Sequence, residues 1–205
     1  MSSSDPAGPR LVDLAGYEVV VGVTGGIAAY KTCAVVSTMV QRGVGVTCVM
    51  TRSARRFVGP LTFESLSGRR VLTSLWRPDY SFDPQHIRLS QRTDLFLIAP
   101  ATANIIAKIA HGLADDLLST LAISMTCPIL LAPAMNAAMW ENRAVAANVQ
   151  KVSELGVRLI GPAIGWQACR TIGVGRMVEP AEIVETAAKT LLSIPPRCQD
   201  GTQSG

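Results

Sequence analysis

Charged residues, aromatic residues and long apolar runs are all scarce in this sequence. Charged side chains make up 17% and aromatic side chains 5% of its 205 residues, whereas 48% are hydrophobic and the mean hydropathy is +0.30. Intrinsic disorder needs low hydrophobicity and high charge, so it is excluded for the body of the chain. No apolar run reaches the roughly 18 residues of a membrane-spanning helix, so no membrane partner is expected. The length fits one domain, and the surplus apolar surface must be buried inside it or between subunits.

Clustered positive charge is also missing. Lys and Arg outnumber Asp and Glu by 19 to 15, and the only adjacent basic pairs are Arg55-Arg56 and Arg69-Arg70. Nucleic-acid-binding proteins usually carry a clustered basic face, often with aromatic residues that stack on bases. A nucleic-acid partner is therefore not expected, and a small anionic ligand fits the mild, dispersed charge better.

The five cysteines have neither CxxC nor CxH spacing, which argues against a disulfide framework and against a zinc site. We expect a reducing, cytoplasmic location and no metal. The first residues lack the basic start and apolar core of a signal peptide. Residues 1–16 and 195–205 are predicted to be flexible arms around a single domain at 17–194.

Short β-branched segments alternate with longer helical segments in that domain. The predicted strands are Tyr17–Val23, Val44–Met50, Leu95–Ala99, Ile129–Ala132 and Arg158–Ile160. The predicted helices are Ile27–Arg42, Ala103–His111, Asp115–Met125, Glu141–Leu155 and Ala181–Leu192. Near-continuous apolar strands are typical of a parallel sheet covered on both faces. The sequence therefore predicts an α/β fold: a three-layer, doubly wound parallel sheet of the flavodoxin or Rossmann type.

Ligands of such sheets bind at the carboxyl ends of the strands, so the segments that follow the strands form the candidate site. The first segment, VTGGIAAYKT, offers backbone N–H groups and a helix N-terminus to a phosphate. It is not a P-loop, because Tyr30 stands where the second glycine is required and the strands lack a following acidic residue. Two interpretations stay open for it: a tight strand-to-helix turn and a mononucleotide site.

Two other strand-end segments are equally open. Thr51 and Ser53 follow the second strand, where they either present hydroxyls to a ligand or cap a short helix at Ala54–Phe57. Asn136, in PAMNAAMWE, either caps a helix or donates its amide to a carboxylate or carbonyl group.

The histidines and cysteines differ in their settings. His86 lies in the polar segment DPQHIRLSQRTD, predicted as a loop, where a catalytic role is open, while His111 ends a predicted helix as a cap. Cys33 and Cys48 fit small buried residues. Cys169 lies in the glycine-punctuated segment GWQACRTIGVGRMVEP, predicted as a mobile loop, and is the one cysteine placed to act as an exposed acid, nucleophile or redox group.

Six motifs, in consistent order between about Tyr17 and Pro180, resemble those of the flavin-dependent cysteine decarboxylases, most of all the bacterial phosphopantothenoylcysteine decarboxylases. The motifs are GGIAAYK, HIxL, APATANxxAK, ADDLLST, PAMNxxMW and AC followed by GxGRM. The resemblance implies FMN as the cofactor and a C-terminal or pantothenoyl-linked cysteine as the substrate. It also implies homo-oligomers, trimers or a dodecamer built from trimers, with FMN at a subunit interface.

The resemblance also assigns residues. It implies that FMN and its phosphate are held by Gly25, Gly26, Ile27, Thr51 and Ser53. It places Thr102, Ala103, Asn104 and Ala134 beside the flavin ring. His86 is implied as the essential histidine, Asn136 as the ligand of the substrate carboxylate and Cys169 as the proton donor. Ala168 and Met177 are implied to join Cys169 in a flap over the substrate.

The chemistry explains why these groups are needed. Oxidation of the CH2–SH group of a cysteine to a thioaldehyde provides the electron sink that its carboxylate lacks, and loss of CO2 then leaves an ene-thiolate. Reduced FMN would then return the hydride and Cys169 would donate the proton, which gives the saturated thiol without net redox change. The implied reaction is decarboxylation of 4'-phosphopantothenoylcysteine to 4'-phosphopantetheine in coenzyme A biosynthesis.

Three alternatives are open. A peptidyl-cysteine decarboxylase would stop at the ene-thiol, although it would need no proton donor such as Cys169. A flavin-binding regulatory subunit would carry the cofactor without catalysis. A flavin prenyltransferase fits PAMN and the Cys169 segment less well.

The sequence departs from the family pattern at two places. The usual ACGD of the flap is Ala168-Cys169-Arg170-Thr171, and the usual SANT appears as Thr102-Ala103-Asn104-Ile105. The first change replaces a glycine with a cation and removes a carboxylate, so flap closure or substrate choice is expected to differ. Arg170 faces either the substrate phosphate or solvent.

Overall fold

Five parallel strands form the main sheet of the computed structural model, which describes residues 13–76 and 85–197, the side chains of residues 85 and 86 excepted. The strands are β1 (Glu18–Val23), β2 (Gly45–Met50), β3 (Leu95–Ala101), β4 (Ile129–Pro133) and β5 (Arg158–Leu159). Their order, β2-β1-β3-β4-β5, is that of flavodoxin-like folds. The predicted α/β fold and all five predicted strands are confirmed.

Eight helices flank or extend the sheet in the described part of the chain. They are α1 (Ala29–Gln41), α2 (Pro60–Ser67), α3 (Gln85–Arg92), α4 (Ala103–His111), α5 (Leu117–Ser124), α6 (Ala137–Trp140), α7 (Arg143–Glu154) and α8 (Pro180–Leu191). The five predicted helices are α1, α4, α5, α7 and α8, which are all present. Pro60 at the first turn and the left-handed Gly68 at the end are ordinary start and stop signals that bound the unpredicted α2.

The core consists of two layers, one on each face of the sheet. Alternate residues of β1 enter opposite layers: Val19 and Val21 pack with α1 and α8, whereas Val20 packs with α4 and α5. Every residue of β3 is buried. Burial of one large apolar side chain stabilises the fold by roughly 1.5–3 kcal/mol, so strands covered on both faces need apolar residues throughout.

A two-stranded hairpin lies outside the main sheet. Its antiparallel strands are β6 (Ala163–Trp166) and β7 (Ile172–Arg176), joined by a turn at 167–171. The prediction of an irregular loop for this segment was therefore wrong. Strands are usually recognised by apolar side chains that alternate toward the core. Here the apolar side chains of Ile164, Trp166 and Ile172 are exposed, and the glycines between them face the protein.

The segment around His86 also differs from the prediction of a loop, because its backbone forms the first turn of α3. The described ends of the two predicted arms pack on the domain: Leu14 is 1% exposed, and the Arg197 N–H donates to Asp94 Oδ1 at 2.7 Å. The boundaries at 17 and 194 stay predictions. Within 13–76 and 85–197, no helix combines the length and apolar character needed to cross a membrane.

Candidate active site

The carboxyl ends of β1 and β3 are joined by one buried hydroxyl. Thr24, 2% exposed, donates a hydrogen bond to the Pro100 carbonyl oxygen at 2.6 Å and accepts one from the Thr102 N–H at 3.2 Å. The strand order reverses direction between β1 and β3, which is where ligands of flavodoxin-like sheets bind. The predicted strand-end segments therefore meet at the expected edge of the sheet.

The glycine turn after β1 lies against the loop after β2. A Cβ atom on Gly25 would stand 2.4 Å from Cβ of Ser53, so no larger residue fits without movement of that loop. A Cβ on Gly26 would stand 3.7 Å from Thr102 Cγ2, at an ordinary contact distance. The turn thus brings the predicted residues after β1, β2 and β3 together, and we call it, with Thr24, the strand-end platform.

The hydroxyls after β2 have different uses. Thr51 Oγ1 accepts a hydrogen bond from the Ala54 N–H at 3.2 Å, which supports the capping interpretation for Thr51. Ser53 begins the short 3-10 turn at Ala54–Arg56 without a side-chain capping bond, and it is exposed. The capping interpretation is therefore not supported for Ser53.

The P-loop interpretation of VTGGIAAYKT is excluded by side-chain contacts as well as by sequence. Lys31 Nζ contacts Glu179 Oε1 at 2.9 Å, and the Thr32 hydroxyl donates to the Ala99 carbonyl oxygen at 2.8 Å. Neither side chain is aimed at a phosphate cradle of the P-loop kind.

A cleft of about 480 Å³ lies between the glycine turn, the segment after β4 and the β6–β7 hairpin. Seven of the predicted site residues line it: Gly26, Ile27, Ala134, Asn136, Ala168, Cys169 and Met177. Six others are not among its lining residues: Gly25, Ser53 and Thr102 lie at the platform, Thr51 precedes Ser53 in the loop after β2, and Ala103 and Asn104 begin α4. The side chain of His86 lies outside the described residues, so its predicted role is untested.

Asn136 caps the short helix α6. Its Oδ1 accepts a hydrogen bond from the Met139 N–H at 2.8 Å, and the residue is exposed at the cleft. The capping interpretation is confirmed. Because capping uses only the carbonyl oxygen, the amide N–H groups stay free of described partners, and the proposed contact with a carboxylate is compatible with the cap.

Gln167 holds the hairpin turn against α6, a role that the sequence did not indicate. This buried side chain accepts a hydrogen bond from the Ala137 N–H at 3.1 Å and donates one to the Val174 carbonyl oxygen at 2.9 Å. Its backbone N–H donates to the Thr171 carbonyl oxygen at 2.9 Å. The turn that carries Cys169 is thereby tied to the helix that carries Asn136.

Cys169 lies at the tip of the hairpin and is exposed. Its Sγ is 3.0 Å from Thr171 Oγ1 and 3.6 Å from Gln167 Oε1. Cys48 in β2 is buried, and burial raises the pKa of its thiol to about 12. The expectation of a buried Cys48 is confirmed, and Cys33 is half-buried.

The position of Met177 limits the role that it can have. Met177 follows β7 and is 1% exposed, in the core layer beneath the cleft rather than at the hairpin tip. Its predicted part in the flap stays untested, but its side chain forms the floor of the cleft.

His111 ends α4 as predicted, with Nε2 3.0 Å from Asn148 Oδ1.

Two cations that line the cleft, Lys31 and Arg176, meet the carboxylate of Glu179 near the base of the hairpin. Glu179 accepts hydrogen bonds from both Lys31 and Arg176, and Lys31 is the main reason why the pKa of Glu179 lies below its usual range. Lys31 and Glu179 are 148 positions apart, so no local sequence pattern reveals the cluster.

No group of three or more His, Cys, Asp or Glu side chains suited to a metal occurs within 13–76 and 85–197.

Known proteins resemble this chain in sequence and in structure. The coenzyme A biosynthesis bifunctional protein CoaBC of Vibrio cholerae is 45% identical over 171 residues, which is 83% of this chain and 43% of that protein. The protein of the same name from Bacillus subtilis is 44% identical over 171 residues, 83% of this chain and 42% of that protein. The chain thus spans less than half the length of these relatives.

Two solved structures extend the comparison. The FMN-dependent cysteine decarboxylase SpaF superposes with a TM-score of 0.75 at 31% identity, over 88% of this chain and 98% of that one. A cysteine-to-serine mutant of PPC decarboxylase, complexed with pantothenoylaminoethenethiol, superposes with a TM-score of 0.74 at 30% identity, over 84% and 97%. The flavoprotein family model matches residues 9–192. This chain belongs to the flavoprotein family.

Proposed function

We propose that this chain decarboxylates 4'-phosphopantothenoylcysteine to 4'-phosphopantetheine with FMN as cofactor, as a step of coenzyme A biosynthesis. The observation that carries the proposal is the cleft that Asn136 and Cys169 share with the glycine turn after β1. A carboxylate ligand and a thiol acid that line one cleft suit a reaction that removes CO2 and then protonates carbon. The relatives and solved structures above support the same activity.

The strand-end platform fits FMN. Ser53 lies too close to Gly25 for a side chain there, with its Cβ 2.4 Å from an added Cβ. The start of α1 follows the same turn, and its backbone N–H groups suit a phosphate. Gly25, Gly26, Ile27, Thr51 and Ser53 are proposed to hold the phosphate end of FMN. Thr102, Ala103, Asn104 and Ala134 are proposed to contact the ring.

The proposed roles follow from the donors and acids present. When bound, FMN supplies reversible two-electron chemistry at the carbon that bears the substrate thiol. Asn136 donates its amide N–H groups to the substrate carboxylate and orients it in the cleft. Cys169 holds the proton that is delivered to carbon after CO2 leaves. His86 is proposed as the base, or an electrostatic partner, of the early step.

Anaerobic turnover by the FMN-loaded protein tests the proposal. We expect one CO2 per molecule of 4'-phosphopantothenoylcysteine and, by mass spectrometry, a product with the saturated thiol of 4'-phosphopantetheine. A product lighter by two hydrogens would instead identify a decarboxylase that stops at the ene-thiol. FMN-loaded protein that releases no CO2 would contradict the proposal and favour a regulatory subunit.

We also infer a homo-oligomer, a trimer or an assembly of trimers. Large apolar side chains are exposed on the rim of the cleft, including Ile27, Tyr30 and Trp166 at about 60% exposure each. Burial of such residues between subunits would use the apolar surplus of the sequence. Light scattering on the FMN-loaded protein measures the oligomer directly, and a monomer would contradict the inference.

The free thiols of the described cysteines support a reducing, cytoplasmic location.

A further inference from the structure

The cleft has a cationic end and a thiol end. Arg176 is the last residue of β7 and pairs with Ala163 at the base of the hairpin, whereas Cys169 lies in the turn at its tip. Lys31 reaches the base from α1, and all three residues line the same cleft. The hairpin therefore separates the two cations from the thiol along its length.

The distance between these ends matches the proposed substrate. From Arg176 to Ile172 an extended strand covers about 13 Å, and the turn with Cys169 adds to this length. The Arg176 guanidinium lies back along the hairpin beside Gly165, where an added Cβ would stand 2.8 Å from Nη1, so it is nearer to the turn than its backbone is. The chain of 4'-phosphopantothenoylcysteine from the cysteine α-carbon to phosphorus contains about eleven bonds, which span roughly 13 Å when extended. A substrate with its cysteine near the hairpin tip would thus bring its phosphate to the hairpin base.

The charges at the base suit a phosphate group. Lys31 and Arg176 share one carboxylate, that of Glu179, so the three residues keep a net positive charge. Glu179 takes one hydrogen bond from each cation, which leaves two N–H donors of Lys31 and four of Arg176 without partners among the described residues. The side chain of Lys31 is only 12% exposed, so one of these cations is largely withdrawn from water.

We propose that Lys31 and Arg176 bind the phosphate of the substrate and select phosphorylated pantothenoylcysteine over unphosphorylated cysteine derivatives. This inference rests on the proposed decarboxylase function. Glu179 acts as a positioning residue that holds both cations at the hairpin base.

A purely structural role for the cluster makes a different prediction. Exposed ion pairs contribute little to stability, and the side chain of Glu179 is 56% exposed. If the cluster only joined the hairpin to α1, loss of Lys31 would weaken binding of phosphorylated and unphosphorylated ligands equally. Selective loss of the phosphorylated ligand is the signature of phosphate binding.

Calorimetry with the two reaction products separates these cases without turnover. FMN-loaded protein is titrated with 4'-phosphopantetheine and with pantetheine, in the wild type and in Lys31→Met, Arg176→Gln and Glu179→Gln. We expect the wild type to bind the phosphorylated ligand at least tenfold more tightly. Lys31→Met and Arg176→Gln should each remove most of that preference and leave pantetheine affinity unchanged. Glu179→Gln keeps both cations but loses the charge that holds them in place, so it should reduce the preference by a smaller factor.

Lys189→Met is the matched control, because Lys189 is exposed on α8 outside the cleft. It should leave the preference intact. A wild type without preference, or equal weakening of both ligands in Lys31→Met, would overturn the assignment.

Turnover distinguishes failure of this inference from failure of the proposed function. CO2 release from pantothenoylcysteine and from its 4'-phosphate with equal kcat/KM, both unchanged in Lys31→Met, would overturn the phosphate assignment and leave the decarboxylase in place. If the wild type releases CO2 from neither compound, the proposed function itself is wrong.

Discussion

The two walls of the cleft are built in different ways. The strand-end platform continues from β1 and β3, whose residues are buried on both faces of the sheet, and its Thr24 hydroxyl is enclosed between them. The hairpin exposes its apolar side chains and is attached mainly through polar contacts, such as the Met135 N–H to the Gly175 carbonyl oxygen at 2.9 Å and the bond from Ala137 to Gln167.

This difference separates two functions. A platform that belongs to the core can hold a cofactor in fixed geometry, because its movement would disturb the sheet. A wall held by a few hydrogen bonds can change its position without unfolding the domain. Substitutions in the platform should therefore affect cofactor binding first, and substitutions in the hairpin should affect the chemistry while the cofactor stays bound.

The largest effect is expected from Gly25→Ala. The added Cβ would stand 2.4 Å from Cβ of Ser53, so the two loops must move apart and the phosphate site is lost. We expect the purified variant to lack flavin absorbance and to release no CO2. Gly59→Ala is the control, since nothing lies within 4 Å of its added Cβ. Flavin retained in Gly25→Ala at the wild-type level would refute the platform as the cofactor site.

Gly175→Ala should produce the reverse pattern in the hairpin. Gly175 has a φ of 121°, and a Cβ there would stand 2.5 Å from the Met135 carbonyl oxygen, so the hairpin must separate from the segment after β4. We expect roughly a hundredfold slower CO2 release, about 3 kcal/mol in activation free energy, with flavin absorbance retained. Gly68→Ala, with a φ of 66° and no neighbour within 4 Å, controls for backbone strain alone. Equal kinetic losses in the two variants would argue against a role for the hairpin contact.

Gln167→Met should have a smaller effect on the same wall. Methionine preserves the side-chain volume but leaves the Ala137 N–H and the Val174 carbonyl without their partner, at a cost of about 1–3 kcal/mol per buried group. We expect about tenfold lower kcat and a measurable fraction of ene-thiol product, because Cys169 is no longer held over the cleft. Gln150→Met, on the exposed face of α7, is the control. A less stable variant with wild-type kcat and only saturated product would assign Gln167 a purely structural role.

The smallest effect is expected at Arg170. With a φ of 65°, it is the one non-glycine residue with positive φ among those described, and it stands where the family usually has glycine. A left-handed conformation costs an ordinary residue about 1–2 kcal/mol, part of which glycine would recover. Arg170→Gly should therefore stabilise the hairpin by up to about 1 kcal/mol, measured as slower amide hydrogen exchange at 167–171. Arg170→Ala removes the charge but keeps the strain, so equal slowing in both variants would contradict the backbone explanation.

The same contrast explains what the sequence could predict. Strands such as β3 are buried on both faces and therefore consist of continuous apolar residues. These apolar runs identified the strands of the sheet and the edge at which they end. A helix cap was one of the two interpretations of Asn136 that the sequence left open, because capping depends on its immediate neighbours, and the structure shows the cap.

The hairpin and its contacts were not predictable in this way. Its apolar side chains face outward and its inner face is glycine, so composition alone suggested an irregular loop. The polar composition around His86 likewise hid the short helix α3. Gln167 and the cluster of Lys31, Arg176 and Glu179 depend on partners distant in sequence, and only the folded chain brings them together.

If the hairpin delivers the final proton through Cys169, the product of Cys169→Ser should differ from that of the wild type. The FMN-loaded variant is supplied anaerobically with 4'-phosphopantothenoylcysteine beside the wild type and Cys33→Ser, whose half-buried residue lies in α1 away from the cleft. We expect Cys169→Ser still to release CO2 but to accumulate the ene-thiol, two hydrogens lighter than the saturated thiol made by both other proteins. Formation of the saturated thiol by Cys169→Ser at the wild-type rate would contradict it.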